Sequence, residues 1–274
     1  MYDSIVVPVD GSRASWTAAG PARDLARRWE SDFEVISVVH YGQQVREVRD
    51  ELDDLVGAAG WRDDTMVTVR EAGSHSVTDV IADHVSEQYG SLVAMSSAGR
   101  GRSAAIFGSV AEGLLRKLFG PVLVFGPAVS HDRLDLTGAL LLTADGSSTS
   151  EAAFGVAGAW AVGLEMTPWV MSVGDAVTAK VGGEILIETA YPHRMADRLS
   201  AATGLEVEFE TLHGDDPARA IVDFAQVHEA GLIVAATHGR TGLRRLAAGS
   251  VAMSIVHRAP CPVLLVRPPH LSEP

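Results

Sequence analysis

The sequence predicts an α/β protein made of two doubly wound parallel-sheet domains, each with five strands and with helices on both faces. Three observations predict it. Short β-branched or leucine-rich runs alternate with longer helical stretches, the pattern of strands joined by crossover helices. The alternation occurs twice along the 274 residues. The two copies also end in register: Pro121 stands thirteen positions after Gly108 and Pro262 thirteen positions after Gly249, so Gly-Pro-Val-Leu-Val at 120–124 matches Cys-Pro-Val-Leu-Leu at 261–265. A period of about 140 residues is a domain length, too long for a solenoid repeat. The domains are expected at 1–128 and 135–268.

Ile5 to Val9 is a buried strand ending in the turn Asp10-Gly11-Ser12. Ser12 caps a helix expected from Arg13 to Glu30. A strand at 33–39, a charged helix at 43–56, a strand at 65–70, a helix at 76–89 and a strand at 92–95 follow. A glycine-bearing loop, a helix at 108–118 and a strand at 122–125 complete the first copy. A linker at 126–134, with Gly, Pro, Ser, His and Asp, precedes the second. There, Leu140 to Thr143 with Ala144-Asp145-Gly146-Ser147 repeats the opening strand and turn. A helix at 150–162, a strand at 169–173, a helix at 185–202 interrupted near Pro192 and a strand at 207–212 come next. A helix at 217–229 with Pro217 in its first turn, a strand at 232–235, a second loop and the final helix and strand end the copy. The Pro-rich tail is expected to be disordered beyond Pro269.

Composition narrows the function. The formal charge of −13 argues against bulk nucleic-acid or anionic-membrane binding, both of which rest on basic surface. No apolar run approaches the ~20 residues that span a bilayer, and MYDSIVVPVDGS lacks a basic n-region, so a soluble, cytoplasmic protein is expected. The single cysteine, Cys261, fits a reducing compartment and reads as a buried structural thiol.

The chemistry concentrates in two loops, MSSAGRGRSAAIFGSV at 95–110 and AATHGRTGLRRLAAGSV at 235–251. Each follows a strand and opens a helix, so it presents backbone N–H groups and the positive end of a helix dipole, a setting suited to phosphate. Gly99 and Gly239 allow close backbone approach, and Ser109 and Ser250 add hydroxyls. In an open parallel sheet, ligands sit beyond the carboxyl ends of the strands where strand order reverses. Asp10 and Asp145 stand at those ends with the loops, an arrangement that fits a nucleotide. Charge-assisted hydrogen bonds contribute about 1.5–3 kcal/mol each, and a micromolar complex needs roughly 8 kcal/mol net, so three or four loop contacts require help from a base pocket. No Walker A sequence and no compact G-x-G-x-x-G after the first strand is present. The ten histidines show no metal spacing. Asp215-Asp216 reads as a helix N-terminal pair. His238, Arg240, Arg244 and Arg245 read as solvated loop residues within reach of a phosphate.

These residues carry a pattern that resembles the universal stress protein family, in a tandem two-domain form, across nearly the whole length. Nucleotide-binding members of that family carry G-x-x-G, nine residues, then G-Ser/Thr. The second copy has Ala236-Thr237-His238-Gly239, nine residues, then Gly249-Ser250; the first has Ser96-Ser97-Ala98-Gly99, eight residues, then Gly108-Ser109. The resemblance implies a Rossmann-like fold of the adenine-nucleotide alpha hydrolase type. It places adenosine against Pro8, Val9, Asp10 and Val39, with Met95 ahead of the first loop, and in the second copy against Thr143, Ala144, Asp145 and Val173, with Ala236 ahead of the second loop. Phosphates fall to Gly99, Gly108, Ser109 and Val110, and to Gly239, Gly249, Ser250 and Val251. Both copies replace the first glycine, by Ser96 and Ala236, and the first loop is one residue short, so the second copy is expected to be the better binder. The implied ligand is ATP, ADP or AMP, with magnesium carried by the phosphates. The implied role is a sensor or regulator of the stress response. A slow ATPase or nucleotidyl-transfer enzyme and a non-nucleotide interaction module with closed pockets stand as alternatives. Pairing of Val122–Phe125 with Val263–Val266 within one chain, and further homodimerisation, are implied in the same way.

Overall fold

The structure, a computed structural model, describes residues 1–40, 44–98, 108–129, 136–174, 185–237 and 249–267. The chain forms two compact units, Met1–Pro127 and Ala128–Pro274. In the first, β1 (Ser4–Pro8), β2 (Asp32–Val39), β3 (Met66–Glu71), β4 (Ser91–Ser96) and β5 (Val122–Phe125) alternate with α1 (Arg13–Trp16), α2 (Ala19–Trp29), α3 (Val45–Ala58), α4 (Val77–Ser86) and α5 (Ser109–Lys117). The second repeats the order with β6 (Ala139–Thr143), β7 (Thr167–Gly174), β8 (Glu208–His213), β9 (Leu232–Ala236) and β10 (Val263–Val266). Its helices are α6 (Ser148–Glu151), α7 (Phe154–Leu164), α8 (Ile185–Thr203), α9 (Pro217–Val227) and α10 (Ser250–Arg258).

All the pairings within each unit are parallel, in the order β3-β2-β1-β4-β5 in the first and β8-β7-β6-β9-β10 in the second. Strands covered by helices on both faces cannot alternate polar and apolar residues. Accordingly Ile5, Val6, Val7, Leu92 and Leu123 are buried in one sheet, and Leu140, Leu141, Leu142, Ile233 and Val263 in the other. Each such side chain contributes about 1.5–3 kcal/mol by leaving water. Chain order reverses between β1 and β4, and between β6 and β9, which opens a crevice at the carboxyl ends of those strands.

Three helices differ from the sequence expectation: those expected over 13–30 and 150–162, each broken in two, and the one expected to be interrupted near Pro192. The helix expected over 13–30 is broken into α1 and α2, with Thr17 and Ala18 between them. Proline at 21 is not the cause, because the second unit breaks at the same place with Val156 there. The common feature is a serine clasp: Asp10 N–H donates to Ser15 Oγ at 3.2 Å and Ser15 Oγ donates to Ser12 O at 2.9 Å, with Asp145, Ser150 and Ser147 making the same contacts at 3.3 and 2.9 Å. These bonds hold the first helical turn to the strand end, and the helix restarts to lie on the sheet. Conversely, α8 runs through Pro192 without a break, because the neighbouring residues keep helical geometry although one backbone bond is lost.

A buried polar cluster was not foreseen. Glu34, in the middle of an apolar strand, is 1% exposed. Its Oε1 lies 2.9 Å from His84 Nε2 on α4, and its Oε2 accepts from Gln88 Nε2 at 2.9 Å. Both carboxylate oxygens are therefore satisfied inside the unit, as a buried acid requires.

Candidate functional site

The turn after β1 is built by Asp10. Its Oδ1 accepts from Ser12 N–H at 2.9 Å, and Gly11 between them has φ 77°, a conformation that glycine adopts without steric penalty. Asp145 and Gly146 (φ 80°) repeat this, with Ser147 N–H at 3.0 Å and Ser147 Oγ at 2.5 Å from the carboxylate. Beside the turn, Val9 N–H bonds Ile36 O at 2.8 Å, and Ala144 N–H bonds Met171 O at 2.8 Å. The strand ends are thus fixed by backbone, independently of the side chains they present.

The helix starts are distinctive. α4 has a full capping box, Ser76 with Asp79, and α1, α6 and α9 are capped by Ser12, Ser147 and Asp216. α2, α3, α7, α5 and α10 have no side-chain cap, and of these α5 and α10 start on glycine, Gly108 and Gly249. The first-turn N–H groups of a helix have no intrahelical partner. A glycine cap leaves them to an outside acceptor, and an anion suits them best. Gly108 N–H itself is used, donating to Ser97 O at 2.9 Å; Gly249 N–H donates to Thr237 O in the same way. The two halves differ in the first turn: α5 carries Glu112, tied to Arg116 at 3.2 Å, and α10 carries no acid.

In the first unit these parts converge. A cleft of about 370 Å³ opens at the reversal point, within the range of small-molecule sites. Every described first-half candidate lines it: Pro8, Val9, Asp10, Val39, Met95, Gly108, Ser109 and Val110. They come from three strand ends and one helix start. Two walls were not foreseen: Val48, Glu51, Leu52 and Leu55 on α3, and Val77 and Ile81 on α4. The signal for α3 was the apolar stripe 48, 52, 55 on an otherwise charged helix. Leu55 is 46% exposed, an unusual state for leucine that its place on the cleft wall explains. The cleft therefore has a side of α3 and α4 that is apolar apart from Glu51, and a polar side of Asp10, Ser97 and the α5 start. Ser96, which stands where the nucleotide-binding pattern has glycine, accepts from Ala98 N–H through its Oγ at 3.3 Å.

In the second unit, Thr143, Ala144, Asp145, Val173, Ala236, Gly249, Ser250 and Val251 occupy the corresponding strand ends and helix start. Ala144 is buried, while Asp145, Ser250 and Val251 are exposed. Thr143 Oγ1 turns toward Val234 O at 3.3 Å. Gly99 and Gly239, with His238, Arg240, Arg244 and Arg245, lie outside the described residues.

The other sequence candidates are structural. Asp216 caps α9, accepting from Arg219 N–H at 3.1 Å and from Arg258 at 2.8 Å; Arg258 first and the helix amides next hold its carboxyl below the usual range. Cys261 is buried, and burial pushes its thiol up to about 12. Among the described residues no group of three or more His, Cys, Asp or Glu side chains could hold a metal ion. No described helix is long and apolar enough to cross a membrane.

The model of the universal stress protein family matches residues 1–126 and again 138–267. A universal stress protein of Methanocaldococcus jannaschii is 43% identical over 72 residues, 26% of this chain and 42% of that protein, so the match spans less than half of that relative. A universal stress protein of Thermus aquaticus, named for its place in the 3′ region of a QAH/OAS sulfhydrylase, is 35% identical over 134 residues, 47% of this chain and 97% of that one. Among solved structures, a universal stress protein from Archaeoglobus fulgidus superposes with a TM-score of 0.72 at 20% identity, covering 97% of this chain and 99% of that one, a likeness of fold.

Proposed function

The chain belongs to the universal stress protein family, and from that membership we propose that it binds an adenine nucleotide in the first-half cleft and serves as a nucleotide-dependent sensor or regulator in a stress response. One observation carries this reading: eight residues singled out from the sequence as nucleotide contacts line one cleft of suitable volume. The purine lies against the apolar wall of α3 and α4, the ribose hydroxyls meet Asp10, and the phosphates meet the uncapped first turn of α5. Magnesium is carried by the phosphates. This reading reverses the ranking that loop spacing alone suggests, because a formed cleft with an apolar wall supplies the base pocket that loop contacts by themselves need.

Isothermal titration of the full chain with ATP, ADP and AMP tests the proposal. Binding in the micromolar range is expected, together with nucleotide released on denaturing the purified protein. No heat and no thermal shift at millimolar nucleotide would defeat it. Parallel assay of phosphate release separates a sensor from a slow ATPase: turnover well below one per minute is expected.

A further inference from the structure

The first-half cleft carries, on its α3 side, two polar side chains that the fold itself does not use. Glu51 stands three residues after Val48 and four before Leu55, so the helical repeat puts it on the face of α3 that lines the cleft. It is exposed, and among the described residues its carboxylate has no hydrogen-bond or ion-pair partner. Arg49 on the same helix is taken up by Val67 O at 2.8 Å. Ser37 lies on β2 two residues before Val39, hence on the same face of the strand. It is 5% exposed, and among the described residues its hydroxyl makes no hydrogen bond.

A hydroxyl buried to that degree costs stability unless something bonds it. The unpartnered side-chain atoms sealed from solvent among the described residues are Trp16 Nε1, Thr65 Oγ1 and Thr211 Oγ1. Ser37 Oγ is not one of them, which leaves it open to the cleft that Ser37 lines. Neighbouring polar groups are already engaged: Asp10 Oδ1 accepts from Ser12 N–H, Ser15 Oγ donates to Ser12 O, and Ser96 Oγ accepts from Ala98 N–H. The purine wall thus holds one acceptor-only group at its rim and one donor-acceptor group at its depth. Between them Val39, Leu52 and Leu55 supply the apolar faces for a ring.

A 6-aminopurine matches this pair, because it offers amino N–H groups at C6 and bare ring nitrogens. A 6-oxopurine presents carbonyl lone pairs at C6, which a carboxylate repels. We propose that Glu51 and Ser37 select the base, Glu51 accepting from the 6-amino group and Ser37 donating to a ring nitrogen, so that the cleft takes 6-aminopurine nucleotides and rejects 6-oxopurine ones. The inference rests on the first-half cleft being a nucleotide site, and it makes Glu51 the source of discrimination and Ser37 a source of affinity alone.

The test compares ATP with ITP, whose base carries oxygen at C6, by isothermal titration of the full chain with magnesium present. Wild type is expected to bind ATP at least about tenfold more tightly than ITP, the worth of one hydrogen bond to a charged group. Glu51→Gln, whose amide N–H can donate to the 6-oxo group, is expected to tighten ITP, weaken ATP and bring the two within about threefold of each other. Ser37→Ala is expected to weaken both nucleotides by a similar factor, about fivefold, and to keep their ratio. A wild type that binds ATP and ITP equally overturns the inference and leaves the nucleotide reading standing, as does an unchanged ratio in Glu51→Gln. Unchanged ATP affinity in Ser37→Ala overturns the role of Ser37. A wild type that prefers ITP overturns both the selection and the adenine reading, and if neither nucleotide binds, the nucleotide reading falls and the selection with it.

Discussion

Asp10 and Asp145 hold the same turn by the same backbone bonds, so a difference between them in nucleotide binding would have to come from what surrounds the turn. Asp10 lines the cleft walled by α3 and α4, and Asp145 is exposed at the matching turn of the second half. Asp10→Ala is expected to weaken ATP binding at least tenfold, about 1.4 kcal/mol, whereas Asp145→Ala in the wild-type background changes it less than threefold; titration of both variants decides, and equal losses would contradict the assignment of the site. Cys261 makes a separate prediction. With its thiol pushed to about 12 by burial, the reactive thiolate is scarce at pH 8. Ellman's reagent is expected to label it only after denaturation, and labelling of the native protein within minutes would place the thiol at the surface.

Some helix starts are closed by the protein's own side chains, and others, α5 and α10 on their glycines among them, are not. Ser76 and Asp79 close α4, and Lys117 of α5 bonds the Asp79 carboxylate. Lys117 first and Ser76 next lower the Asp79 pKa from 3.8 to about 2. A carboxyl depressed on folding contributes stability that is present above its unfolded pKa and lost as pH falls through the folded value. The urea midpoint is therefore expected to drop between about pH 4 and pH 2, less steeply in Asp79→Asn; parallel curves for the two proteins would remove Asp79 from the account. Ser76→Ala is expected to cost about 1 kcal/mol by loss of the cap. The opposite class is tested at Gly108. Its φ is −64°, and among the described residues an added Cβ would meet Ser97 O at 3.5 Å, an ordinary contact. Gly108→Val is thus expected to keep the melting temperature within about 2 °C, since an accommodated surface change costs under ~0.5 kcal/mol, while lowering ATP affinity more than tenfold. Unchanged binding in that variant would show that phosphate does not approach the start of α5.

At the scale of the molecule, the duplicated chain carries two strand-end sites on one backbone plan with different local finish. The first has lost a loop residue and carries the cleft described above; the second keeps the loop spacing, and there Tyr191 bonds Glu151 beside the turn after β6. Saturating ATP, at about 100 times Kd, stabilises whatever it binds by about 2.7 kcal/mol. Hydrogen exchange is expected to show this as protection around residues 8–10, 37–40, 95–98 and 108–111 and not around 143–145 of the wild type. Protection confined to the second half would return the site to the position that loop spacing favoured.

Strand identity, the parallel doubly wound class and the duplication were legible in the sequence, because buried parallel strands demand continuous apolar runs and because duplication leaves the same spacing twice. The residues at the strand ends were legible for the same reason: the fold brings Asp10, Val39, Met95 and Gly108 to one edge whatever lies between them. The break between α1 and α2, the buried Glu34–His84 pair and the α3 and α4 walls of the cleft were not, since each depends on contacts between segments distant in sequence. Neither was the difference between the halves. Tyr191 meets Glu151, where the first half has Trp16, only because the fold brings a helix 40 residues away to the turn after β6.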